Sequence, residues 1–242
     1  PEPPTEDCDA VPTYECNPSV MDCAELVPFQ PPLGDGYWNY PLNGETTHDQ
    51  YRSFARRDLV MLIKYAAAKT RCLAADWPEG SAIELGLGDM SEADGSIPGT
   101  RDGSPGHPPG THTNGTDMDI AYYQVGTADN RLRPVCAHYL NRRDAYRCVG
   151  EPVYLDVERT ALFLALLHHS PRLRVIGVDG QVGSLVEEAM DTLCAQGTID
   201  GPACGSGRSL AWEETDEGRG WYRFHHHHFH VSLMGGRYRR AS

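Results

Sequence analysis

The chain has 242 residues, enough for one well-cored domain with an appendage, and a formal net charge of −13. No apolar run approaches the ~18 residues that a bilayer requires, and mean hydropathy is negative, so no membrane span is expected. Basic residues are scattered apart from a short tail at Arg237, Arg239 and Arg240; without a basic face there is little counterion release to gain, so nucleic acid is not an expected partner.

Eight cysteines stand at Cys8, Cys16, Cys23, Cys72, Cys136, Cys148, Cys194 and Cys204. None forms a C-x-x-C pair, the usual mark of structural zinc or thioredoxin chemistry, so a disulfide framework in an oxidising compartment is expected. A periplasmic or secreted protein with its signal peptide removed fits that reading.

Residues 1–43 are rich in proline, glycine and cysteine and show no helical or strand period, which predicts a loop-rich arm. Its three cysteines require at least one bridge into the body if all are paired, with Cys72 the nearest candidate. Tyr37, Trp38, Asn39 and Tyr40 are expected to pack the arm onto the core. Residues 44–242 form the main domain.

From Asp49 to Ala75 good helix formers predict a helix, with Phe54, Met61, Leu62, Tyr65 and Leu73 as its apolar stripe. Ser81 to Leu87 alternates as a strand, with Ile83, Leu85 and Leu87 on one face. A polar loop of some twenty residues, about Gly88 to Gly110, follows, and loops that long are usually functional or disordered. Thr116 to Val125 predicts a second strand, whose period of two puts Asp117 and Asp119 on the same face. Thr127 to Gly150 is a polar insertion, stapled locally by Cys136 and Cys148. Asp156 is a candidate N-cap for a helix from Val157 to His168. A strand over Leu173 to Val178, a helix over Gln181 to Ala195, and a strand over Tyr222 to Leu233 complete the chain. The expected fold is α+β: a small, mainly antiparallel sheet with a metal site on one face and helices on the other.

The last strand contains His225, His226, His227, His228 and His230. A catalytic zinc takes three protein ligands and keeps a fourth position open. His112 and Asp119 are seven residues apart, with Gly115 between them to turn loop into strand, and His230 is a natural third ligand. Strand period places His228 on the face of His230, where it can serve as general base to a water. By the same phase His226 lies further along that face and His227 points away. His48, His138, His168 and His169 are assigned to ordinary surface or core positions. A calcium loop is excluded because the acidic series and closing glutamate of an EF-hand are missing.

The pattern His112-x-x-Gly115-x-Asp117-x-Asp119, followed by His225-x-x-His228-Phe229-His230-Val231, resembles the penicillin-insensitive murein endopeptidases of the D-Ala-D-Ala metallopeptidase superfamily. Gly88-Asp89-Met90-Ser91 and Leu155-Asp156-Val157-Glu158-Arg159-Thr160 extend the resemblance over roughly residues 81 to 234. It implies one zinc ion per chain held by His112, Asp119 and His230, with His228 as base and His225 as a further active-site histidine. It also implies that peptidoglycan peptides are the substrate and that residues 44–242 are a zinc metallopeptidase domain. A D,D-carboxypeptidase or dipeptidase, or a non-catalytic zinc-stabilised wall-binding module like the related hedgehog domains, is the alternative expectation. There are departures: Gly110 stands where serine is common, and His107 lies five residues before His112 rather than three, so His107 is not carried over.

Overall fold

The computed structural model describes residues 8, 11, 16–41, 45–46, 51–78, 80 and 82–235. His48 and the Arg237, Arg239, Arg240 tail lie outside the described residues. In chain order the elements are β1 (Leu26–Pro28), β2 (Leu33–Gly34), β3 (Tyr37–Asn39), β4 (Phe54–Arg56), α1 (Arg57–Leu73), β5 (Leu85–Leu87), β6 (Asp117–Ile120), β7 (Tyr139–Leu140), β8 (Arg143–Asp144), α2 (Val157–Leu167), β9 (Leu173–Gly177), α3 (Gly180–Ala195), β10 (Leu210–Ala211) and β11 (Phe229–Leu233).

The expected α+β class holds, with a mixed sheet of seven strands in the order β10-β9-β11-β6-β5-β3-β2. Its centre is antiparallel, β11 lying between β6 and β9, while β10 with β9 and β3 with β5 run parallel. The sheet is therefore larger and less uniformly antiparallel than expected. Two of the extra strands, β2 and β3, come from the N-terminal arm, and the third, β10, from Leu210–Ala211; the arm is not all loop, since β3 joins the main sheet beside β5 and β1 pairs with β4 in a separate two-stranded sheet. Prolines suppress a readable strand period here, yet short edge strands tolerate them. Tyr37 and Tyr40 are buried, and the Tyr40 hydroxyl accepts the Leu132 amide at 2.8 Å, so the aromatic cluster packs the arm as expected.

The pairing of β4 with β1 also corrects the first helix. The Phe54–Arg56 backbone belongs to a ladder, and the Arg57 amide donates to the Glu25 carbonyl, so the helix starts at Arg57 rather than Asp49. Phe54 is a strand residue, not part of the helical stripe. Ile83 is exposed and precedes β5, which is shorter than predicted because the chain joins β3 only from Leu85. The second and third helices agree closely with expectation, and Asp156 caps α2 by accepting the Arg159 amide at 3.1 Å.

Register divides the central sheet into two chemistries. Phe229 faces Ile120 across the ladder and Val231 faces Met118, and Phe229 meets Phe163 of α2 at 5.8 Å, so this side is the apolar core. His230 faces Asp119 and Ser232 faces Asp117, which places the two carboxylates on the opposite side, as strand period required. Four disulfides, Cys8–Cys72, Cys16–Cys23, Cys136–Cys148 and Cys194–Cys204, use every cysteine and fit folding in an oxidising environment. The Cys8 bridge to Cys72 is the expected tie from arm to body. Among the described residues no helix is long and apolar enough to cross a membrane.

Candidate metal centre

Asp119 and His230 come to the site from adjacent β6 and β11, while His112 comes from the loop that leads into β6. That loop is bent by force. His112 has φ 51°, Asn114 φ 57° and Gly115 φ 66°, three left-handed residues within four positions. Non-glycine residues there cost of order 1 kcal/mol or more and persist only where their surroundings hold them. Gly115 has no alternative, because a Cβ would lie 2.6 Å from the Arg56 amide nitrogen. The sequence argument for Gly115 as the turn into the strand is thus realised.

The three donor atoms converge. His112 Nε2 lies 3.2 Å from Asp119 Oδ1 and 3.2 Å from His230 Nδ1, and His230 Nδ1 lies 3.0 Å from Asp119 Oδ1. Ligand atoms about 2.0 Å from a tetrahedral ion stand roughly 3.3 Å apart, so this triangle is close to the base of such a tetrahedron. The outer nitrogens are also spoken for. His112 Nδ1 donates to the Met90 carbonyl at 3.0 Å, and His230 Nε2 donates to Asp117 Oδ1 at 3.1 Å. When the ring is neutral, each bond favours the tautomer whose lone pair faces inward, which is how ligating histidines are usually oriented. Part-buried His107 with buried His112 and Asp119 forms a group that could hold a metal ion, and His230 Nδ1 adjoins two of its donors at 3.0 and 3.2 Å.

Electrostatics agree. Burial alone would raise the Asp119 carboxyl, but the adjacent His112 and His228 hold it well below its ordinary value. His230 is opposed by burial, yet its bonds to Asp117 and Asp119 lift it to about 9. Asp117 and Asp119 thus favour a positive charge between them.

His228 reaches the same place, its Nε2 3.4 Å from Asp119 Oδ1, but not by the expected route. Strand β11 begins at Phe229, and the preceding histidines lie on irregular chain that turns through Phe224 at φ 72°. Strand phase therefore fails for the run. His226 does not continue the metal face but stacks on His138 at 4.9 Å, and His227 does not point away, its Nδ1 lying 2.5 Å from His228 Nδ1. Burial keeps His228 well below, and His227 at about 4 against, the ordinary imidazole value, so both are neutral at pH 7. The two Nδ1 atoms share one hydrogen bond, and His228 Nε2 faces Asp119. His225 adjoins this pair, its ring 5.4 Å from that of His228 and its Nδ1 donating to the Arg223 carbonyl at 2.7 Å. Burial holds it at about 4.

Several neighbours were not singled out from sequence. Asp117 was placed on the right face but given no role. His107 stacks on His112 at 3.8 Å and pairs with Asp89 at 3.0 Å, so the shifted spacing that set it aside does not keep it from the site. His107 is a looser candidate ligand than His230, because its Nε2 is 3.9 Å from Asp119 Oδ2 and already engaged by Asp89. Burial opposes its charge, but Asp89 and Asp119 prevail and raise it. Trp221 walls the site, 5.3 Å from His225 and 6.1 Å from His230, and only glycine at 177 makes room for it: a Cβ there would lie 2.0 Å from the indole. The Glu213 carboxylate accepts the amides of Glu217, Arg219, Trp221 and Tyr222, shaping the loop that delivers Trp221. A roomier cleft of about 680 Å³, lined by residues such as Tyr51, Phe54, Glu92 and Arg101, contains none of the histidines, so no chemistry is assigned to it.

No protein-family model matches this chain, and no curated protein does.

Proposed function

We propose that the protein is a secreted or periplasmic zinc-dependent endopeptidase that hydrolyses peptide cross-links of bacterial peptidoglycan. The observation that carries this reading is the buried triangle of His112, Asp119 and His230, its imidazole tautomers fixed by Met90 and Asp117, with the neutral His228 beside it. Two imidazoles and one carboxylate form a donor set that zinc accepts, and the set leaves a coordination position open for catalysis. When bound, zinc supplies a Lewis acid that polarises a scissile carbonyl and lowers the pKa of water to roughly 7. His228 takes the proton from the attacking water through Nε2 and delivers it to the departing amine. His227 holds the His228 ring in place through the contact between their Nδ1 atoms. His225 and Trp221 border the same space and exclude bulk water from it.

The choice of wall peptides rests on the motif resemblance; the choice of metal hydrolysis rests on the geometry. The test is the His228→Ala variant on purified sacculi. Zinc content should stay at the wild-type level while release of soluble fragments falls by about 10²- to 10⁴-fold, the usual contribution of a general base. Normal digestion by the variant would remove His228 from the mechanism. Metal binding without turnover of any wall fragment by the wild type would make the chain a binding module, and release of terminal D-Ala alone would make it a carboxypeptidase.

A further inference from the structure

A second group of metal-binding side chains lies outside the centre described above. His138, just before β7, and Asp144, at the end of β8, belong to a short hairpin, and His226 belongs to the histidine run. One donor atom from each lies within 4.8 Å of the other two. His138 Nδ1 is 3.1 Å from Asp144 Oδ1, close to the ~3.3 Å edge of a tetrahedral zinc site. The His138 ring stacks on His226 at 4.9 Å.

His226 supplies the independent sign of a ligand. Its side chain is 3% exposed, and its Nδ1 has no hydrogen-bond partner. A hydrogen bond from the ring to the Tyr146 backbone leaves Nδ1 as the nitrogen with the lone pair. A buried polar atom left unpaired is unfavourable, and native proteins rarely keep one without a reason. His226 sits with a neighbouring imidazole and a carboxylate on a hairpin whose backbone is constrained. The hairpin is closed by the Cys136–Cys148 disulfide and turns through Asn141 at φ 51° and Arg142 at φ 63°, a two-residue turn of the kind that matches strand twist. It is tied to the body by bonds from the Val135 amide to the His226 carbonyl at 3.0 Å and from the Cys148 amide to Asp179 Oδ2 at 2.9 Å. His138 and Asp144 are only partly buried, and Asp144 Oδ1 also accepts the Tyr146 amide at 2.7 Å.

We infer that His138, Asp144 and His226 form a second site for a zinc-class divalent cation, pinning the disulfide-closed hairpin to the histidine run. The site shares no ligand with the first centre. It touches the first through His227, whose ring lies 4.6 Å from His226 and 4.5 Å from His228. His138 is therefore not the ordinary surface or core histidine that its isolation in the sequence predicts.

The experiment is equilibrium dialysis of the full chain against Zn²⁺, with bound metal counted by elemental analysis in wild type, His138→Ala, Asp144→Asn and His112→Ala. Wild type should hold two ions, and each single variant should hold one. The remaining ion should be the catalytic-centre ion in His138→Ala and Asp144→Asn, and the hairpin ion in His112→Ala. A double His112→Ala, His138→Ala variant should hold none. Far-ultraviolet circular dichroism verifies that each variant is folded, and Asp144→Asn, nearly isosteric, guards against a structural loss in His138→Ala. The inference is overturned if wild type holds one ion that His138→Ala and Asp144→Asn both retain. One ion retained by His112→Ala but lost from His138→Ala would instead uphold the hairpin site and defeat the first centre.

Discussion

Asp117 contacts no substrate, yet its position behind His230 makes it a sensitive test of the metal centre. It is 2% exposed, its Oδ1 accepts His230 Nε2–H at 3.1 Å, and its Oδ2 accepts the Thr116 hydroxyl at 2.6 Å. Asp117→Asn keeps the size and leaves an oxygen able to accept from His230, so the variant removes charge rather than a contact. A charge-assisted bond is worth about 1.5–3 kcal/mol and a neutral one about 0.5–1.5, a difference near 1 kcal/mol. At 3.1 Å the bond is longer than the shortest charge-assisted pairs, which places the effect at the low end of the ~10- to 100-fold that outer partners of metal ligands usually contribute. We expect zinc affinity to fall roughly tenfold, measured by competition with a chromophoric chelator. In the metal-free protein the His230 imidazole, held at about 9 by Asp117 and Asp119, should titrate lower, as followed by NMR of the ring protons. Affinity within twofold of wild type together with an unmoved His230 titration would refute the claim that Asp117 orients and polarises this ligand.

Two further substitutions test the frame around the site. Gly115→Ala forces a left-handed alanine and sets its Cβ 2.6 Å from the Arg56 amide nitrogen; strain and overpacking together should cost about 3 kcal/mol. Thermal melting should show that loss, whereas Gly207→Ala, with nothing near its added carbon, should change little. His168 is a buried histidine at the end of α2 whose Nδ1 donates to the Leu164 carbonyl at 3.0 Å and whose Nε2 accepts the Ser209 amide at 3.0 Å. Burial lowers its pKa, so the folded state favours the neutral ring. Above about 6.5 both folded and unfolded forms are neutral and its contribution is complete; below that only the unfolded chain takes up the proton, and stability falls by about 1.4 kcal/mol per pH unit until the folded pKa is reached. His168→Ala should lower stability by about 2 kcal/mol at pH 7 and flatten that slope below about pH 6.5; a slope equal to wild type in denaturant melts would show that His168 carries no pH linkage.

The parts of the fold that the sequence made legible are those governed by local physics. Asp156 caps α2, the apolar period of Val182, Val186 and Leu193 builds α3, and alternation along β6 puts Asp117 and Asp119 on one face. What it hid depends on partners far along the chain. Phe54 looks helical until Leu26–Pro28 pairs beside it, and the proline-rich arm looks irregular until β3 lies against β5. The same division runs through the site. His112, Asp119 and His230 could be proposed as ligands because loop turn and strand register are near-neighbour properties. His107 and Trp221 could not, because one depends on Asp89 and the other on the space above Gly177.

The histidine run shows why phase reasoning succeeded at one end and failed at the other. Period two applies only where the chain is extended in a strand, and β11 is so held only from Phe229 onward, paired with β6 from Phe229 and with β9 from His230. Before that point the chain is held by side-chain and single backbone bonds instead. The Tyr122 hydroxyl donates to the His225 carbonyl at 2.8 Å and accepts the Asp179 amide at 3.1 Å, and the His226 carbonyl accepts the Val135 amide. These anchors impose no alternation, so consecutive imidazoles serve different neighbours: His225 meets Trp221, His226 meets His138, and His227 meets His228. A regular strand would have sent half of these rings into the apolar core beside Phe163. Irregular chain lets four adjacent histidines stay on the polar side, where burial keeps His225, His227 and His228 neutral and available as bases or ligands.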